Sequence, residues 1–282
     1  MDATQINESG IKDRITELDG LPVFPATATQ ILNETRKDDV DVSKVTQLVE
    51  YEPAIGAKVL QLANSPLYGT NRPITTIGHA VVMLGFRAVS QLAVSIATKE
   101  VFSDGDPATS QLRDKIFQQS LSCATHARAI AYELEIADPD EAFLTGVMQD
   151  IGKLVLLASA PKEYSEMMLA IPNGCSADAE QSWIGTDHTQ IGQRCGKKWG
   201  LPPSINQAIG DHHTSVSDLQ LPLSQGIVAA NYFSRIWHIG FSENESIEAD
   251  PAIEEAFETI QKPELKSQCE EQFAAVCEIC MA

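Results

Sequence analysis

The sequence predicts an all-α protein, and three observations predict it. Apolar residues recur at spacings of three and four from end to end, no stretch alternates apolar and polar residues as a half-buried strand would, and Pro and Gly sit where helices would begin and end. With 282 residues, 43% of them hydrophobic and 21% charged, the chain can bury a substantial core as one large domain or two smaller ones.

The elements follow in order. "LPVFPATATQILNETRK" places Pro25 in a first helical turn, where a missing N–H costs nothing, and predicts a helix of about a dozen residues. "DDVDVSKVTQLVEYEPAIGAKVLQLANSPLYG" predicts two helices: acidic residues open the first, Pro53 opens the second, and Asn64-Ser65-Pro66 ends it. Ile55, Val59, Leu62 and Ala63 form its buried stripe. "TTIGHAVVMLGFRAVSQLAVSIATKEVF" predicts a short helix, a break at Gly85, and a longer helix with Phe86, Val89, Leu92, Ala93 and Ile96 inward.

"SDGDPATS", residues 103–110, is the strongest linker signal and places a subdomain boundary. Beyond it, helices are predicted at "LRDKIFQQSLSCATHARAIAYELE", "PDEAFLTGVMQ", "DIGKLVLLASA", "PKEYSEMMLAI", "HTQIGQRCGKKWG", "PPSINQAIGDHH" and "LPLSQGIVAANYFSRIWHI". Residues 241–282 hold 11 acidic and 2 basic side chains but keep Ile253, Phe257, Ile260, Leu265, Phe273, Val276 and Ile279. That pattern predicts one or two docked surface helices rather than a mobile tail.

Charge narrows the partners. With 39 acidic against 20 basic side chains and a formal charge of -19, the long-range field repels phosphate backbones and anionic membranes, which argues against nucleic acid. No run reads as approaching the roughly 18 apolar residues a membrane helix needs, and "MDATQINESG" is not a secretory signal, so a cytoplasmic location is expected. Of Cys123, Cys175, Cys195, Cys269, Cys277 and Cys280 only the last two are closely spaced, which is not a zinc pattern, and ordinary reduced thiols are expected.

"LTGVMQDIGKLVLL" raises the question of chemistry, because Gln149 and Asp150 stand side by side in an apolar helical stretch. A helix junction with Asp150 capping the second helix is one reading; a metal or phosphate site with Asp150 as ligand is the other. His188 in "GTDHTQIG" and His212-His213 in "IGDHHTSV" could complete such a site, whereas His79, His126 and His238 read as core or surface histidines. Neighbouring residues on a regular helix diverge by about 100 degrees, so His212 and His213 would serve two ions, or else simply end a helix.

The motifs "LPVFPATATQIL", "EYEPAIGAKVLQLANSPLYG", "IGHAVVMLGFRAV", "FLTGVMQDIGKLVLL" and "GTDHTQIGQRCGKKWGLPPSINQAIGDHH" closely resemble the HDOD family, the HD-related output domain of bacterial signalling proteins, over residues 15–235. The resemblance implies a multi-helix fold with an N-terminal helical subdomain (15–102), an HD-like helical subdomain (103–240) and an acidic helical extension (241–282). It also implies kinship to HD and HD-GYP metal-dependent phosphohydrolases. Carried over by position, the early histidine of those enzymes falls at Gln119, the His-Asp doublet at Gln149-Asp150, and the late aspartate at Asn231.

Neutral amides thus replace three ligands, and an amide oxygen is weak beside imidazole or carboxylate for a transition ion. The expectation is a degenerate site without a metal or other cofactor; any ion that did bind would use Asp150, His188, His212 and His213. A non-enzymatic signal-output module acting on a signalling protein partner is the first expectation. The alternatives are an altered phosphohydrolase and a sensor that binds a small ligand in a vestigial pocket formed by Gln119, Gln149, Asp150, His188, His212, His213 and Asn231.

Overall fold

Every regular element is helical, and the order follows the punctuation of the sequence. The computed structural model describes residues 24–35, 37, 39–68, 72–103, 106–171, 177–240 and 249–281, with no strand among them. The predicted domain start near residue 15, Asp104 and Gly105 of the linker, Cys175, and residues 241–248 of the extension lie outside the described residues.

Helix α1 (Ala26–Thr35) begins directly after Pro25. Asp41 caps α2 (Val42–Tyr51) by accepting from the backbone N–H groups of Ser43 and Lys44 at 2.9 and 3.2 Å. Pro53 opens α3 (Pro53–Ala63), and Asn64 closes it by exchanging two hydrogen bonds with the Ile74 backbone, at 2.9 and 2.8 Å. Helix α4 (Ile77–Val101) kinks at Gly85, whose φ of 76° is a left-handed value that glycine adopts without a Cβ clash, so the break read from the sequence is a kink within one helix. Helices α1, α2 and α3 all pack on α4.

The second half is organised by α5 (Ser110–Leu134), which packs against α6 (Pro139–Met148) and α12 (Pro222–Ile236). Between them run α7 (Ile151–Ser159), α8 (Pro161–Ala170), α9 (Ala177–Ile184), α10 (His188–Lys198) and α11 (Pro203–Asp211). Helix α9 was not predicted; its acidic sequence "ADAEQSWI" shows little apolar periodicity. A polar chain joins the two halves: Arg87 Nε lies 3.2 Å from Asp140 Oδ2, Gln91 Nε2 donates to Asp140 Oδ1 at 2.9 Å, and Arg128 Nη1 donates to Gln91 Oε1 at 3.2 Å.

The extension supplies α13 (Pro251–Ala256) and α14 (Pro263–Met281), docked as their apolar spacing predicts. Helix α14 packs on α3, α4 and α5, and Lys99 Nζ donates to the Cys280 carbonyl near its end at 2.7 Å. The Tyr232 hydroxyl donates to Glu254 of α13 at 2.7 Å. The five described cysteines are free thiols, and burial pushes Cys195, Cys269 and Cys280 up to about 12, where they are unreactive.

One sequence expectation needs correction. Ile77–Val101 and the stretch Pro139–Ser159, which spans α6 and α7, are long and apolar enough to cross a membrane. The protein itself buries 67% and 83% of their apolar windows, as core helices of a packed bundle do. Both segments contribute to one hydrophobic cluster that extends from Phe24 to Cys280.

Candidate functional site

The site starts from a helix cap. Asp187 accepts from the backbone N–H groups of Thr189 and Gln190 at 2.9 and 3.0 Å, which makes His188 the first residue of α10. A first-turn N–H has no partner within its own helix, and that of His188 donates to Glu180 Oε2 at 2.6 Å. The same carboxylate oxygen takes His188 Nδ1 at 2.6 Å, while Glu180 Oε1 accepts from the Tyr164 hydroxyl at 2.6 Å. Three donors thus converge on a carboxylate that is fully buried, and they fix it as an acceptor.

The other two histidines come from the end of α11. The helix stops at Asp211, and His212 Nδ1 donates to the Ile209 carbonyl at 2.7 Å, filling one of the acceptors a helix terminus leaves open. The sequence argument that adjacent histidines diverge holds only inside a regular helix. Here the chain is already turning, and both rings swing toward His188, with Nε2–Nε2 separations of 3.1 Å for His212 and 3.0 Å for His213.

Asp150 completes the group. Its Oδ1 lies 3.6 Å from Nε2 of both His188 and His212, and one ligand atom from each of Asp150, His188, His212 and His213 falls within 4.8 Å of the others. Gly152 makes this approach possible, because a Cβ there would stand 1.9 Å from the His188 carbonyl oxygen. Asp150 stands at the N-cap position of α7 but makes no side-chain capping bond, contrary to the cap role expected for it. Its carboxylate pairs instead with Lys153 Nζ at 2.7 Å. Burial alone would raise the Asp150 carboxyl, but Lys153 and then His212 hold it well below the usual carboxylate range. Burial, reinforced by Lys153, pushes the His188 imidazole well below its usual range.

The amide positions behave differently. Gln149 follows α6 almost fully buried, and its Oε1 has no hydrogen-bond partner. Asn231, on α12, lines a cavity of about 190 Å³ together with His212, His213 and Arg235. Gln119 is half-buried on α5, which packs against α7. His79 and His238 are exposed, and His126 is buried on α5 away from the cluster.

The residues present fit one divalent transition ion. The Nδ1 atoms of His188 and His212 both face acceptors and so carry their protons, which leaves the Nε2 lone pairs of both rings aimed at each other across 3.1 Å beside a carboxylate. Lewis bases so arranged repel one another unless a cation or extra protons lie among them. A buried carboxylate behind a ligating imidazole is also the usual outer partner of a metal-binding histidine. Glu180, Tyr164 and Lys153 were not singled out from sequence. The available signal was the general need for such a carboxylate, which made the acidic residues shortly before His188 candidates.

Fold and site together define an all-helical protein that gathers three histidines and an aspartate at one point. Residues 21–215 match the family model of the HDOD domain, and the chain belongs to that family. An uncharacterized protein of Treponema pallidum (strain Nichols) is 25% identical over 213 residues, which cover 73% of this chain and 39% of that protein. The chain therefore corresponds to about two fifths of that relative's length. Among solved structures, an HDOD domain protein with unknown function from Geobacter sulfurreducens has a TM-score of 0.73 at 22% identity, covering 98% of this chain and 96% of that one. A candidate metal-dependent phosphohydrolase from Shewanella amazonensis SB2B has a TM-score of 0.66 at 17% identity, with 97% and 98% covered.

Proposed function

We propose that the chain is a non-enzymatic signal-output module of bacterial signal transduction that acts on a signalling protein partner, with a remnant HD site holding a single divalent transition ion in a structural role. The output role rests on family membership, since a fold alone does not assign function. The observation that carries the rest is the donor set: three imidazole nitrogens and one carboxylate oxygen gathered within 4.8 Å. Four protein donors complete a tetrahedral shell, as structural sites do, whereas catalytic sites keep a position open for water. A second ion would have to rely on Gln119, Gln149 and Asn231, whose neutral oxygens hold such ions weakly.

This reading departs from the sequence expectation of no metal. Counting the replaced ligands left out the convergence of those that stay. Bound there, an ion would tie α7, α10 and α11 together, and the chain's own contribution is to anchor the His188 ring through Glu180 and the His212 ring through the Ile209 carbonyl. The net charge of -19 supports a protein partner over nucleic acid.

The alternative is a metal-dependent phosphohydrolase, and turnover separates the two. The full chain loaded in turn with zinc, manganese and ferrous iron is expected to leave bis(4-nitrophenyl) phosphate at the uncatalysed rate. Turnover that disappears in His188→Ala would establish the enzyme and end the non-hydrolytic reading.

A further inference from the structure

A second cavity lies away from the histidine cluster, where α3, α4, α5 and α6 meet beneath α14. It measures about 280 Å³, close to the lower bound of about 300 Å³ for small-molecule pockets. Its inner wall is apolar, with Leu62, Leu92 and Phe143 all nearly fully buried. Arg128 lines the same space. One of its nitrogens is spent on Gln91 Oε1 at 3.2 Å, and it has no carboxylate within ion-pair distance among the described residues. Gln91 is in turn held by Asp140, and Asp140 by Arg87, so the guanidinium is braced from behind by a chain that crosses both halves of the protein.

That arrangement is unexpected in a chain with 39 acidic against 20 basic side chains, where carboxylates abound to pair with an arginine. Guanidinium carries five N–H donors in a plane that matches a carboxylate in bidentate fashion. We propose that this cavity binds a small monocarboxylate with an apolar body, its carboxylate on Arg128 and its hydrocarbon against Leu62, Leu92 and Phe143. Glu271 of α14 lines the same cavity, and its carboxylate would disfavour a second negative charge on the ligand. Because the walls come from both halves and the extension forms the roof, such a ligand bridges all three parts of the chain and can couple them.

Thermal unfolding of the full chain tests this, with phenylacetate and 4-methylpentanoate as probes and phenylacetamide as the neutral isostere of the first. A ligand that binds only the folded state raises the melting temperature in a saturable way. Either acid is expected to do so, with no shift from the amide at equal concentration and none from phenylmalonate, the dianion. Arg128→Gln should abolish the shift, and so should Ala88→Leu, which fills the cavity from α4 and leaves the arginine in place. His188→Ala should retain it, since the histidine cluster is a separate site. Equal shifts from acid and amide, no shift from either acid, or a shift that survives in both cavity variants would overturn the proposal.

Discussion

His126 and His188 are both fully buried imidazoles in the same half of the molecule, yet only one belongs to the candidate site. His126 is held through Nδ1 by the Ser122 carbonyl one turn back at 2.8 Å, lies against Trp237 with ring centroids 5.4 Å apart, and has no partner at Nε2. His188 has a carboxylate behind it and two further imidazoles and an aspartate in front. Burial of a histidine therefore says little about chemistry. What distinguishes a site is an outer acceptor that fixes the tautomer, together with several lone pairs aimed at one point.

The largest effect expected from breaking this contrast is at Glu180. Glu180→Ala removes the acceptor of the Tyr164 hydroxyl's bond and leaves the two His188 N–H groups without theirs, each of the latter worth about 1–3 kcal/mol when stranded in a core. Urea unfolding should show a loss of about 4 kcal/mol, short of full additivity because the site can relax. A loss under about 1 kcal/mol would mean that this carboxylate is not an organising group.

His126 should respond to acid in the opposite sense from a paired histidine. Burial lowers it from 6.5 to about 4, so between those values the unfolded chain binds the proton and the folded chain does not. Its contribution is complete above pH 6.5 and drains away as the pH falls toward 4. Lowering the pH from 7 to 5 should cost about 2 kcal/mol through this residue. Comparison of stability curves for the natural protein and His126→Leu isolates that part from the cluster, and identical pH slopes would contradict the assignment.

Lys153 gives the smallest effect and sharpens the picture of the cluster. Its ammonium sits 2.7 Å from the Asp150 oxygen that an ion would use, and it competes with the ion for that charge. Lys153→Met should therefore tighten zinc binding about tenfold, equivalent to about 1.4 kcal/mol. Weaker binding in a competitive chelator titration would show instead that the lysine organises the site.

Much of the fold could be read from the chain because its helices begin and end on local signals. Pro25, Pro53, the Gly85 kink and the apolar stripe of α3 all appear where spacing and backbone chemistry put them. The helix α9 was missed because it buries Glu180 rather than an apolar stripe, so periodicity had nothing to register. At the site, the four residues that an ion would use were named together from the sequence, but not how closely their ligand atoms gather, all within 4.8 Å of one another. The divergence of adjacent helical residues does not govern His212 and His213, because α11 ends at Asp211, two residues short of the predicted end. Asp150 looked like a cap, and only the fold reveals that the approach allowed by Gly152 turns its carboxylate toward three imidazoles.

The most direct test is the metal content of the full chain, purified without chelator from cells grown in transition-metal-replete medium and measured by elemental mass spectrometry. One equivalent of a transition ion per chain, reduced to background in His212→Ala, is the expected result. A cluster that stays metal-free in the natural protein and takes up no zinc on titration, or one that holds two ions per chain, would contradict the single closed centre.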